Sequence, residues 1–119
     1  MKNRRKSPRF QIAKMAKITR QGLREWSEVL IRDLSINGMG CSGDRYFKKE
    51  DLVCVTVKLP TETEGLIEES LTGKIAWVAQ FEEEKEREFA FGIEFSDMDR
   101  QNPKLFTYLN KLGERLFTA

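Results

Sequence analysis

Three stretches of the chain alternate strictly between apolar and other residues. Val53, Val55, Val57 and Leu59 interleave with Cys54, Thr56 and Lys58 and stop at Pro60. Leu71, Ile75 and Trp77 share one parity with Gly73 between them, and Phe89, Phe91, Ile93 and Phe95 interleave with Ala90, Gly92 and Glu94. A period of two buries one face of a β-strand, so each stretch predicts a strand. Ile12 to Ile18 and Trp26 to Leu34 predict two more, separated by Gln21-Gly22, and Gly38 to Ser42 predicts a short sixth. That many antiparallel strands in one small domain tend to curl into a barrel and so remove their edges.

Past residue 100 the period changes. Leu105, Leu109, Leu112 and Leu116 fall at i, i+4, i+7 and i+11, one stripe of an amphipathic helix, and Asn102-Pro103 supplies a capping residue followed by one tolerated in the first turn. The expected fold is therefore all-β with a terminal helix: a six-stranded antiparallel β-barrel plus a C-terminal α-helix. At 119 residues the chain suits a single domain, 1–119, with a flexible basic segment over 1–9, the barrel over 10–96 and the helix over 102–117.

Composition narrows the chemistry. The sequence has no histidine, which removes Ser-His and Cys-His nucleophile pairs, histidine-bearing zinc sites and the side chain best suited to proton transfer near neutral pH. Cys41 and Cys54 are too few for a thiolate metal site and are assigned to packing. No apolar run approaches membrane-spanning length and the first residues do not form a secretory signal, so a cytoplasmic location without membrane insertion is expected. The run Glu82, Glu83, Glu84, Lys85, Glu86, Arg87, Glu88 reads as a solvated hairpin tip, ahead of a carboxylate metal site, because it has no glycine or asparagine to shape a cage.

The net charge of +2 hides an uneven distribution. Lys2, Arg4, Arg5, Lys6 and Arg9 place five basic residues in the first nine positions with no acid among them, while the remaining 110 residues carry 16 basic and 19 acidic side chains. Within that segment, Pro8 disfavours the helical region for Ser7, so Arg5 and Arg9 project from an extended or turning backbone and could close around a ligand. A guanidinium fork matches a phosphate or the O6/N7 edge of guanine. Alone, the motif reads first as a basic tail.

A second constellation is Asp33-Leu34-Ser35-Ile36-Asn37-Gly38. Asp33 and Ser35, two apart at a strand end, point to one side, and Asn37-Gly38 suits a tight turn with positive backbone dihedrals. A carboxylate there can accept the N1 proton and exocyclic amine of a guanine. The alternative, that Asp33 and Ser35 only cap the turn, weighs equally. Trp77, a candidate for stacking on a base, shares the parity of Leu71 and Ile75 and is assigned first to the core or barrel rim.

Taken together, Arg-x-x-x-Arg followed by Asp-x-Ser-x-x-Gly resembles the PilZ domain family. Thr72-Gly73-Lys74-Ile75-Ala76-Trp77-Val78 is similar to the family's later strand, and Phe91-Gly92-Ile93-Glu94-Phe95 to its closing strand. The resemblance implies a bacterial receptor for the second messenger cyclic diguanylate (cyclic di-GMP), with no catalysis, cofactor or metal. Carried over by position, Arg5 and Arg9 would hold guanine edges and phosphates, and Asp33, Ser35 and Gly38 would line the guanine-binding face. Arg4 is similar to a residue of members that take up two stacked ligands. An effector protein, not identifiable from sequence, would be the downstream partner. The competing readings are a small nucleic-acid-binding barrel, disfavoured because the strands after residue 20 are balanced or acidic, and a ligand-free PilZ-like adaptor.

Overall fold

The computed structural model describes residues 9–62, 65–83 and 86–117. Six strands form one closed antiparallel barrel: β1 (Phe10–Arg20), β2 (Ser27–Leu34), β3 (Gly38–Gly43), β4 (Leu52–Pro60), β5 (Leu66–Glu83) and β6 (Glu86–Phe95). Their order around the barrel is β1-β2-β3-β6-β5-β4, and β1 pairs with β4 to close it. The expected barrel and its six strands are thus present. The β5–β6 ladder runs out to the pair Glu83↔Glu86, which places the charged run at a hairpin end.

Alternation explains the core. Val53, Val55, Val57 and Leu59 of β4 point inward with Ile67, Leu71 and Ile75 of β5 and Phe91, Ile93 and Phe95 of β6, all at most 7% exposed. Val29, Ile31, Leu34, Met39 and Cys41 of β2 and β3 and Ala16 and Ile18 of β1 join them in the interior. Cys41 belongs to this core, whereas Cys54, on the opposite parity from Val53 and Val55, lies half-buried on the outer face.

Two helices follow the barrel, a four-residue α1 (Met98–Gln101) and then α2 (Pro103–Phe117). Leu105 and Leu109 are buried against the barrel with Met98, and Leu112 packs at the margin of the same cluster. Asn102 does begin the helix, since its carbonyl accepts the Phe106 amide, but its side chain does something other than capping. Its amide Nδ2 donates to the Ser70 carbonyl at 2.9 Å and tethers the helix corner to β5. Among the described residues no helix is long and apolar enough to cross a membrane.

Candidate functional site

Three breaks in strand register shape one outer face of the barrel. Pairing shifts between Gln11 and Lys14 in β1–β2, between Ile31 and Asp33 in β2–β3, and between Ile75 and Trp77 in β5–β6. A β-bulge inserts a residue and so reverses which face the following side chains take. In β2, Val29 and Ile31 point inward, but beyond the irregularity it is Leu34 that is buried, and Asp33 turns outward. In β5 the same device acts beyond Ile75: Val78 packs against the core, and Trp77 is 48% exposed on the outside. The parity that assigned Trp77 to the core or rim therefore fails at the bulge.

The pairing register places the two outward residues in one row across four strands. Asp33 pairs with Gly40, Gly40 with Gly92, and Gly92 with Trp77. Adjacent strands lie about 4.8 Å apart, so the ends of the row are separated by roughly 14 Å of backbone. The middle of the row carries no side chains. Asp33 and Trp77 lean over it from either end: a Cβ on Gly40 would stand 2.9 Å from Asp33 Oδ2, and one on Gly92 would stand 2.1 Å from Trp77 Nε1. Both glycines are buried although they face outward, because these side chains cover them.

Asp33 is held by two donors. Gly40 N donates to its Oδ1 at 3.2 Å, and Arg9 Nη1 donates to the same oxygen at 2.5 Å in an ion pair whose side chains keep 27% and 28% of their surface exposed. Arg9 lies at the mouth of β1, and its Nη2 would be 3.6 Å from a Cβ on Gly38. The structure thus joins the second arginine of the basic motif to the aspartate of the turn motif, 24 residues away. Arg4 and Arg5 lie outside the described residues.

Ser35 and Gly38 serve the turn locally. Ser35 is 2% exposed, and its Oγ donates to the Gly38 carbonyl and accepts the amides of Asn37 and Gly38, each at 3.2 to 3.3 Å. It is buried whereas Asp33 is not, so the two do not present one common surface. The expected positive dihedrals are also missing: positive φ occurs among the described residues at Gly22, Glu50, Gly65 and Asp97, and not at Asn37 or Gly38. Gly38 is required instead by close approach, because a Cβ there would stand 2.6 Å from the Ile93 carbonyl oxygen of β6. The turn is fixed to β6 again where Phe95 N donates to the Asn37 carbonyl.

The residues that sequence reasoning missed are Trp77 as an outward group and the pair Gly40 and Gly92 beneath it. The available signal was two glycines inside strands, at positions that alternate with buried residues, since glycine inside a strand marks a bulge or a close approach. Among the described residues no group of three His, Cys, Asp or Glu side chains could hold a metal ion.

No curated protein matches the chain by sequence. Solved structures share its fold at low identity. The inhibitor of motility MotI/DgrA of Bacillus subtilis superposes with a TM-score of 0.74 at 16% identity, over 96% of this chain and 51% of that one. The PilZ domain with c-di-GMP of YcgR from Escherichia coli gives 0.59 at 13% identity, over 96% and 97% of the two chains. The K. pneumonia MrkH-c-di-GMP complex gives 0.60 at 18%, over 96% and 56%. The chain therefore spans about half the length of MotI/DgrA and MrkH and nearly all of the YcgR domain. The sequence model of the PilZ domain matches residues 3–111, which takes in both motifs, all six strands and most of α2, and the chain belongs to the PilZ domain family.

Proposed function

We propose that this chain is a receptor for cyclic di-GMP that acts by binding, without catalysis. The observation that carries the reading is the outward row in which a carboxylate beside a guanidinium faces an exposed indole across a floor of two glycines. A guanine laid on the outer face of the Trp77 indole stacks on that ring and turns its N1–H and exocyclic amine to the Asp33 carboxylate. Arg9, with Arg5, answers the O6/N7 edge and the phosphates. Ser35 and Gly38 hold the turn that presents Asp33, and Arg4 supplies a further cation for a second, stacked ligand. Three solved structures of this fold are complexes with c-di-GMP, which supports the same ligand class here.

Binding changes conformation because Asp33 is already engaged. A guanine edge at Asp33 competes with the Arg9 guanidinium, and the released Arg9 turns to the ligand and draws the chain before β1 with it. That movement alters the surface offered to an effector protein in the bacterial cytoplasm.

Calorimetric titration with cyclic di-GMP, against GTP, cyclic GMP and a short single-stranded RNA, tests the reading. Saturable binding of cyclic di-GMP alone is the expected result, and binding of the RNA in its place would favour a nucleic-acid barrel. One groove does combine aromatic and basic groups, Trp26 with Lys17 and Lys58, but Glu28 and Glu68 share it and Lys58 is paired to Glu68 at 3.6 Å. The groove is thus balanced in charge and does not attract a polyanion.

A further inference from the structure

The indole of Trp77 lies where its strand neighbour leaves room for it. Gly92, its register partner on β6, is the point at which an added Cβ meets three atoms of the ring: Nε1 at 2.1 Å, Cδ1 at 2.7 Å and Cε2 at 2.7 Å. Real Cβ atoms do not approach ring atoms so closely, so any side chain at 92 lifts the indole away from the barrel. Nothing in the backbone asks for glycine here. Gly92 has no positive φ, and within a strand glycine weakens pairing and packs nothing. Its place in β6, between the buried Phe91 and Ile93, is explained by what lies on top of it.

We infer that Gly92 is a positioning residue for ligand binding: it seats the Trp77 indole flat on the barrel wall, so that a planar base stacks on the ring while its edge reaches Asp33. Gly40 does the same for the other end of the row, since a Cβ there would meet all three atoms of the Asp33 carboxyl group within 3.2 Å. The ligand class follows from this placement. With the indole lying over Gly92 and the Asp33 carboxyl group over its register partner Gly40, one strand spacing of about 4.8 Å away, the outer face of the ring suits one flat base whose edge carries donors toward the carboxylate. The choice of a guanine ligand rests on the cyclic di-GMP reading; the seating of the indole does not.

The two claims separate experimentally. In a Trp26→Phe background Trp77 is the one remaining tryptophan of the two in the sequence, so its emission reports the seat without any ligand. Gly92→Ala should shift that emission to the red and increase quenching by acrylamide. With cyclic di-GMP, Gly92→Ala should weaken binding roughly five- to a hundredfold, the range expected for losing one base–aromatic stack. Trp77→Ala should weaken it equally, and Gly92→Ala added to Trp77→Ala should cost nothing further. A purely structural role for Gly92 predicts instead that the losses add. Unchanged emission and quenching, or additive losses, would overturn the inference. If the wild type binds no cyclic di-GMP, the proposed ligand falls while the emission still decides the seat. If Gly92→Ala does not fold, the double variant with Trp77→Ala must fold, since the ring is gone; its failure would also overturn the inference.

Discussion

Asp33 distinguishes base recognition from charge attraction. It neutralises Arg9, so removing it frees a cation beside a ligand that carries two phosphates. Attraction alone therefore predicts that Asp33→Ala binds more tightly, whereas a carboxylate that reads the guanine edge predicts a loss of about 1–3 kcal/mol. We expect the loss, measured by titration at moderate salt where exposed charges are screened. Arg9→Ala should cost about 2–4 kcal/mol, because the site loses a charge-assisted donor and leaves Asp33 without its partner. The two cysteines provide a test of the fold at the same scale. Burial, and secondarily the charge of Asp33, pushes the Cys41 thiol up to about 12, and burial raises Cys54 from its ordinary value by less. A thiol whose folded value exceeds its unfolded one leaves stability intact below the unfolded value and withdraws it above, so stability should fall as pH rises from about 9 toward 12. Iodoacetamide should modify Cys54 first and reach Cys41 only on unfolding. Equal labelling of both in the folded protein would show that β3 is not packed as described.

Among the elements, strands with one uninterrupted parity were legible and strands with a bulge were legible only in part. β4 reads correctly from Val53 to Leu59 because each residue advances the pattern by one step. β5 reads correctly to Ile75 and then fails, because an extra residue between Ile75 and Trp77 reverses the faces and no local signal distinguishes it from ordinary alternation. Asp33 is turned outward by the same kind of break, which depends on pairing with a strand several residues away and so is settled by tertiary structure. The motif residues were found because the side-chain chemistry was conspicuous; the glycines that seat them were not, because their role is to be absent. The helix stripe was legible from its period, but the tether at Asn102 was not, since its acceptor belongs to β5. Leu109→Ala, at a site 2% exposed, should destabilise the domain by about 2–5 kcal/mol. Asn102→Ala leaves the Ser70 carbonyl without this donor and should cost about 1–3 kcal/mol. Leu109 belongs to the buried core and Asn102 bonds to Ser70, and neither is a residue of the outward row, so denaturant midpoints should fall while cyclic di-GMP affinity, measured well below the transition, stays at the wild-type value.

Over the whole molecule, attraction and selection are assigned to different parts of the chain. The first nine residues hold five cations and no acid, while the remaining 110 hold 16 basic and 19 acidic side chains, so the barrel by itself repels a dianion weakly and the N-terminal segment must overcome that. Asp33 and Trp77, in contrast, contribute a hydrogen-bonding edge and a stacking face, whose energies depend little on ionic strength once formed. Salt separates these contributions, because the Debye length shrinks from about 30 Å at 0.01 M to about 3 Å at 1 M and screens exposed charge far more than short, desolvated contacts. Wild-type affinity for cyclic di-GMP should therefore fall steadily as salt is raised. A chain beginning at Ser7, which lacks Lys2, Arg4, Arg5 and Lys6, should bind more weakly at low salt and show a clearly shallower dependence. Trp77→Ala should bind more weakly at every salt concentration while keeping the wild-type slope. Titrations of the three proteins from 50 mM to 500 mM sodium chloride check this division. If Trp77→Ala flattened the slope as much as the truncation did, the row on the barrel and the basic segment would be one electrostatic unit, and the separation of attraction from base recognition would be wrong.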